Sequence, residues 1–325
     1  MKLFDLGTLP WKDTQLIYHT LASQNVEALV IHSCNEPYVC LGFPHNPNDE
    51  LDLDYCNKNG IPIFRREIGG GTVLLDKDQI FYHLIVNRKH PLAPYGQVPF
   101  FKRFLKPIIK TYAELGIHVE YKPINDLTVE GRKISGTGGG EIENSRVLGS
   151  SILLDFNYTL MSKILKVPNE AFRDKCLESM NLNLTTVKKE LGYVPSRDKI
   201  KRLIIDNYQE IFGEFDEGII TNQLLEAKKK VELRLMNEKW LFQKGMKQKW
   251  RDVKVIEGIN VIHREYEINN MQIGLVLEIV DDTIAKVSLS EDGMMISNKE
   301  IEQRLVNEKM DESKVYNAIV NHYPT

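Results

Sequence analysis

The chemistry-bearing residues of this sequence gather in two glycine-rich stretches with cations beside them. The first reads Phe64-Arg65-Arg66-Glu67-Ile68-Gly69-Gly70-Gly71-Thr72-Val73. Consecutive glycines open backbone conformations that other residues resist, and they clear side chains from a ligand's path. Their N–H groups can then converge on an anion. Arg65 and Arg66 add planar forks suited to a carboxylate or a phosphate. A tight turn carrying surface arginines is the plainer alternative. Neither GxxxxGK[ST] nor GxGxxG occurs here, which excludes a P-loop and a dinucleotide fingerprint at this point.

The second stretch begins at Ile124-Asn125-Asp126-Leu127 and continues through Gly131-Arg132-Lys133-Ile134-Ser135-Gly136. An Asn-Asp pair alone is a turn signal. Lys133, on an expected strand, is either an inward cation for a carboxylate or an α-phosphate, or an edge lysine that opposes aggregation. Gly136-Thr137-Gly138-Gly139-Gly140-Glu141 follows at once. It reads as a loop, either flexible or one along which a ligand can lie. With apolar strands between the two stretches, the combination suits a ligand with a greasy tail and an anionic head, such as an activated acyl phosphate.

The elements that must position these residues are mostly short strands. Apolar runs at 28–31, 38–43, 61–64, 72–75 and 80–86 are strand-length and bounded by turn formers. Helices are expected over 14–24 and 98–115, the latter kinked or shortened by Pro107. Strands follow at 117–121 and 124–135, with Glu130-Gly131 as a hairpin turn, and again at 147–156. Residues 158–238 turn helical, with Ser196 as an N-cap. Strands then return, and two short helices close the chain. Few helices separate the early strands, so the expected class is α+β with mixed, largely antiparallel sheets and flanking helices. The expected domains are 1–239, carrying the chemistry, and 240–325, a small α+β accessory domain.

The 325 residues are 42% hydrophobic and 27% charged, an ordinary globular balance that excludes collagen-like and disordered classes. A net charge of −3 argues against a nucleic-acid coat. The four cysteines, Cys34, Cys40, Cys56 and Cys176, form no CxxC pair, so a reducing cytoplasm without disulfides is expected. No apolar run of membrane-spanning length occurs, and no membrane partner is expected. A monomer is the default.

The order RRxxGGG, then NDL, then GRKISG resembles the lipoate–protein ligase A family, within the biotin/lipoate ligase and transferase fold. The resemblance covers residues 1 to about 240, and the segment beyond Asn237 is similar to the accessory domain of bipartite bacterial ligases. It implies that lipoate and Mg-ATP form lipoyl-AMP. The acyl group then passes to a lysine of an apo lipoyl domain, a glycine-cleavage H-like protein or a related carrier. It further implies that Arg66 contacts the acyl carbonyl or phosphate and that Gly69, Gly70 and Gly71 line the acyl-adenylate. Thr72, Val73, Leu74 and Leu75 fall on the adenine-holding stretch. Asn125 falls on a nucleotide contact, Asp126 near Mg²⁺, and Lys133 on the central lysine.

Two departures stand out. Leu75 occupies a position where the family often has His, and Gly140 one where a cation is common, with Arg146 or Arg132 as candidate replacements. Three other readings remain. A lipoyl or octanoyl transferase would need a Cys nucleophile, for which Cys176 is the candidate. A biotin ligase would need GRGRxxR, which is absent. A non-catalytic binder of carrier domains is the third. The C-terminal domain is expected to move as a lid between the two half-reactions.

Overall fold

The computed structural model describes residues 1–243 and 252–323. The chain divides into two compact units, Met1–Ile164 with Leu184–Lys247, and Leu165–Asn183 with Gln248–Thr325.

The first unit is built on a mixed sheet of eight strands in the order β11-β1-β2-β6-β10-β9-β8-β7. These are β1 (Lys2–Leu9), β2 (Ala28–Cys34), β6 (Gln79–Asn87), β7 (Glu120–Lys122), β8 (Asp126–Val129), β9 (Arg132–Ile142), β10 (Ser145–Leu153) and β11 (Asp216–Glu217). A three-stranded sheet joins β4 (Ile63–Arg65), β3 (Tyr38–Leu41) and β5 (Val73–Leu75) in the order β4-β3-β5. The α+β class expected from the strand-rich pattern is the one observed.

Alternation along the central strands sends neighbouring residues to opposite faces. Leu29, Ile31, Tyr82, Leu84, Leu148 and Ile152 enter one core. The helices Gln97–Phe104, Lys106–Glu114 and Arg197–Phe212 bury Phe104, Ile108 and Ile204 in that same core. Pro107 splits the expected helix 98–115 in two, because it occupies the first turn of the second segment, where its missing N–H costs nothing. Ser196 caps Arg197–Phe212 by accepting from Lys199 N–H at 3.3 Å. On the opposite face, Val30, Ile85 and Val147 pack with Tyr18 and Leu21 of helix Trp11–Ser23.

One expectation needs correction. Residues 136–140 are not a loop but lie within β9, paired to β10 from Ser135↔Ile152 to Ile142↔Ser145. Glycine was read as a loop signal, yet here it marks a strand that another backbone approaches closely. The two compact units are interleaved along the chain. Helix Glu170–Asn183 groups with the C-terminal unit, where its Phe172 and Cys176 pack with Val261 and Val276. Trp240 groups with the first unit, where its Nε1 donates to Arg65 O at 2.8 Å.

The second unit carries an antiparallel sheet, β12 (Asp252–Ile256), β13 (Ile259–Ile268), β14 (Met271–Val280), β15 (Thr283–Glu291) and β16 (Met294–Ile296), in sequential order. Helices Lys299–Leu305 and Glu312–Val320 close its core through Ile301, Leu305, Val315 and Ile319.

Candidate functional site

Arg66 follows directly on β4, and its guanidinium is spent on backbone. Nη1 donates to Cys40 O at 3.1 Å, Nε and Nη2 to Gly69 O at 3.2 and 3.1 Å, and Nη2 to Gly71 O at 2.8 Å. The residue is 8% exposed. Among the described residues no carboxylate forms an ion pair with it. Arg66 is therefore a nearly buried cation whose N–H groups are engaged by the loop carbonyls and by Cys40, so an anion reaches it only by displacing one of those partners.

The two glycine segments meet backbone to backbone. Gly69 N–H donates to Gly139 O at 2.9 Å. A Cβ on Gly138 would lie 2.5 Å from Gly69 O, and one on Gly42 only 1.9 Å from Gly70 O. Gly70 also has φ +104°, a region closed to most side chains. So Gly69 and Gly70 belong to the same contact as β9. Gly71 is more open, with no atom within 4 Å of an added Cβ.

Arg65 takes no part in that contact. It is 1% exposed and donates to Phe43 O at 3.0 Å and Trp240 O at 3.3 Å. The paired forks expected from the sequence are thus divided, one fixing Trp240 and the other bracing the glycine loop.

Lys133 and Asp126 meet across the β8–β9 hairpin. Glu130 and Gly131 form its turn with φ of +49° and +80°, the pair of left-handed residues that a two-residue hairpin requires. The register then shifts, with Thr128 opposite Lys133 but Leu127 opposite Ser135, which leaves Ile134 as the extra residue. Leu127 and Ile134 enter the helix-side core, and Lys133 Nζ pairs with Asp126 Oδ1 at 2.6 Å. Lys133 O accepts from Thr185 N–H at 2.8 Å, so its backbone is held from a second side. The Asp126 side chain is 2% exposed and that of Lys133 21%. Asn125 Nδ2 donates to Thr137 O, one residue before Gly138.

In the stretch 72–75, Thr72 Oγ1 donates to the Glu50 carboxylate, which His45 Nδ1 also contacts. Val73, Leu74 and Leu75 form β5 opposite Cys40, Val39 and Tyr38. Leu74 is buried, while Val73 and Leu75 are half-buried. Next in the chain, burial pushes the Asp76 carboxyl above its ordinary value. The candidate replacements for a cation at position 140 are already engaged. Arg132 pairs with Glu190 at 3.2 Å, and Arg146 donates to Gly96 O at 2.9 Å and lies 4.0 Å over the Phe100 ring. An added Cβ on Gly140 would come 3.2 Å from Ile68 Cα, so this chain has little room for a larger residue there.

Sequence reasoning missed two groups of side chains. One is Glu50 with His45, whose only signal was a turn-like Pro44-His45-Asn46-Pro47 run. The other is a set of buried histidines behind the glycine loop. His19 Nε2 accepts from Glu67 N–H at 3.1 Å, and the other ring nitrogen is 2.7 Å from Gln15 O. His83 stacks on Tyr18 at 3.9 Å and on His32 at 5.3 Å between ring centroids. Burial lowers His19 to about 4 and His32 to about 3. Burial first, then the imidazoles and Arg66 nearby, push His83 well below its ordinary value. Of the three, only His83 falls within an expected strand, 80–86, and nothing in the sequence brings the rings together behind the loop.

All four cysteines are free and buried. Burial raises the Cys34 and Cys56 thiols to about 11 and Cys176 to about 12. Among the described residues no group of three His, Cys, Asp or Glu stands ready to hold a metal ion. No described helix is long and apolar enough to cross a membrane.

The mixed sheet with its flanking helices has the fold of the biotin/lipoate ligases, the architecture of its solved structural neighbours. Residues 10–209 match the lipoyl protein ligase A/B catalytic domain, and the chain belongs to that family. It is 30% identical over 191 residues to lipoate–protein ligase 2 of Staphylococcus aureus, a match covering 58% of this chain and 51% of that protein. It is 25% identical over 213 residues to the octanoyltransferase LipM of Moorella thermoacetica, covering 59% and 78%. Among solved structures, the bipartite lipoate protein ligase of Thermoplasma acidophilum, studied with its E2 lipoyl domain, superposes with a TM-score of 0.66 at 22% identity, covering 76% of this chain and 98% of that one. The chain spans about half the length of the curated lipoate ligases it matches first.

Proposed function

We propose that this protein is an ATP-dependent lipoate–protein ligase. A lipoate carboxylate oxygen attacks the α-phosphorus of ATP and pyrophosphate leaves. The ε-amine of a carrier lysine then attacks the acyl carbonyl, AMP leaves and an amide remains. The acceptor class is an apo lipoyl domain, a glycine-cleavage H-like protein or a related carrier. The observation that carries this reading is Arg66, a buried guanidinium with no carboxylate partner among the described residues, set where the two glycine segments meet.

In this reading Arg66 receives the carboxylate end of the acyl group, beside Gly69, Gly70 and Gly71. Thr72 to Leu75 and Asn125 border the nucleotide. Lys133 acts in this reading as an electrostatic group and not a nucleophile, oriented by the Asp126 carboxylate 2.6 Å from its Nζ. Two anions must approach each other in the first half-reaction, and a fixed cation lowers the repulsion between them. Asp126 suits magnesium only as one carboxylate beside phosphate oxygens, which is how that ion is usually held. When bound, the ion would neutralise charge on the phosphates.

Transfer from an acyl carrier through a Cys is the second reading, prompted by the LipM similarity. It needs a reachable thiolate. The burial of all four cysteines, with Cys176 raised to about 12, favours the ligase. The test is intact-mass analysis of an apo carrier incubated with the protein, lipoate and ATP. Addition of one lipoyl group that depends on ATP is the expected result. Addition from an acyl carrier without ATP would replace this reading with the transferase.

A further inference from the structure

Behind the glycine loop, the sheet face shared by β2 and β6 is apolar on both flanks and polar in the middle. On one flank Tyr18, Val30, Ile68 and Val147 cluster; on the other, Cys40, Phe64 and Phe81. Between them stand His32 and His83, which the strand register places on the same face through the pairs His32↔Phe81 and Val30↔His83. They are 1% and 5% exposed. His32 makes no well-formed ring hydrogen bond, its polar neighbour being the Ser33 backbone, and Nδ1 of His83 has no partner. A neutral imidazole always carries one donor and one acceptor. Sealing such groups away unpaired is costly, and folded proteins rarely do so without a partner for them. The pair lies close to the loop, since His83 Cδ2 and Ile68 Cδ1 both converge at 3.1 Å on the position of a Gly149 Cβ. Ile68 is joined to Gly69, whose carbonyl Arg66 holds.

We propose that His32 and His83 form the inner end of the acyl site and select a chain that ends in sulfur over a plain saturated chain. The proposal rests on the acyl reading of Arg66 given above. With its carboxylate at Arg66, the acyl chain passes Ile68 and ends against the two rings. A saturated tail leaves their nitrogens unpaired. A dithiolane offers weakly accepting, polarisable sulfurs that approach an N–H and pack on an aromatic ring. The site therefore takes lipoate in preference to octanoate. No covalent step is involved.

The test compares binding of lipoic acid and octanoic acid to the full chain by calorimetry, without ATP. The proteins are wild type, His32→Leu, His83→Leu and His32→Asn. The wild type is expected to bind lipoic acid about five- to tenfold more tightly, the ratio one or two weak sulfur contacts supply. Each leucine variant should lose that gap, and His32→Asn, which keeps hydrogen-bonding atoms, should retain part of it. Equal affinities in the wild type would overturn the proposal even if no variant folds. So would leucine variants that weaken both acids equally. Because the readout needs no ATP, an intact preference without ATP-dependent acylation would remove the ligase reading alone. ATP-dependent acylation without a preference would remove this proposal alone.

Discussion

Lys133 Nζ lies 2.6 Å from Asp126 Oδ1, across a hairpin whose register shifts at the one residue between Lys133 and Ser135. The extra residue, Ile134, is wholly buried in the helix-side core, and this anchors the lysine beside it. If the ammonium stabilises charge at the reacting phosphate, Lys133→Ala should slow lipoyl transfer by about 10²–10³ or more. Lys133→Arg keeps the charge but not the compact geometry and should recover only part of it. ATP–pyrophosphate exchange in the presence of lipoate reads the first half-reaction directly. Near-normal exchange by the alanine variant would remove Lys133 from the chemistry.

Asp126 separates charge from position. Asp126→Asn leaves the ammonium in place without its buried counter-charge. Removing one partner of a buried pair costs up to about 3–5 kcal/mol, and the partly exposed Lys133 end reduces that figure. A lowered denaturant midpoint together with slower exchange is expected. If the variant loses stability but exchanges at the wild-type rate, Asp126 serves only the fold.

Close approach of the glycine segments predicts steric intolerance at Gly138. A methyl group there would press on Gly69 O, which is backbone and cannot swing aside. Gly138→Ala is expected to destabilise the protein by about 1–3 kcal/mol, as overpacking does, and to weaken acyl binding as the loop is displaced. At Gly71 an added methyl meets nothing within 4 Å, so Gly71→Ala is the matched control. Thermal melting with and without lipoate compares the two. Equal behaviour would mean that the contact between the segments is not tight in solution.

These contacts also show what the sequence could and could not reveal. The hairpin was legible because Glu130-Gly131 sits between alternating apolar residues, and the motif residues were legible by type and order. The role of the second glycine cluster was not, since glycine's signal is the same for a loop and for a strand pressed against another backbone. Arg65 and Arg66 are adjacent and chemically identical, and only the fold shows that one holds Trp240 and the other the loop. The histidines were hidden for a further reason. His32 and His83 lie 51 residues apart, and their stacking depends on the pairing of β2 with β6.

Buried neutral histidines give a pH dependence of stability whose sign is fixed. His19 and His32 have folded values of about 4 and about 3, below the ordinary 6.5 of an unfolded chain. Between those limits the unfolded state binds protons that the folded state refuses. The stability they confer is therefore complete above about pH 6.5 and lost as pH falls toward about 4 for His19 and about 3 for His32. The loss approaches roughly 1.4 kcal/mol per pH unit for each group. Urea melts at pH 7, 6, 5 and 4 should show the midpoint falling steadily below 6.5. His19→Gln, which can still accept from Glu67 N–H, should flatten the slope. A midpoint constant from pH 7 to 5 would mean that the imidazoles gain protons in the folded state, and so are not sealed from water as the structure has them.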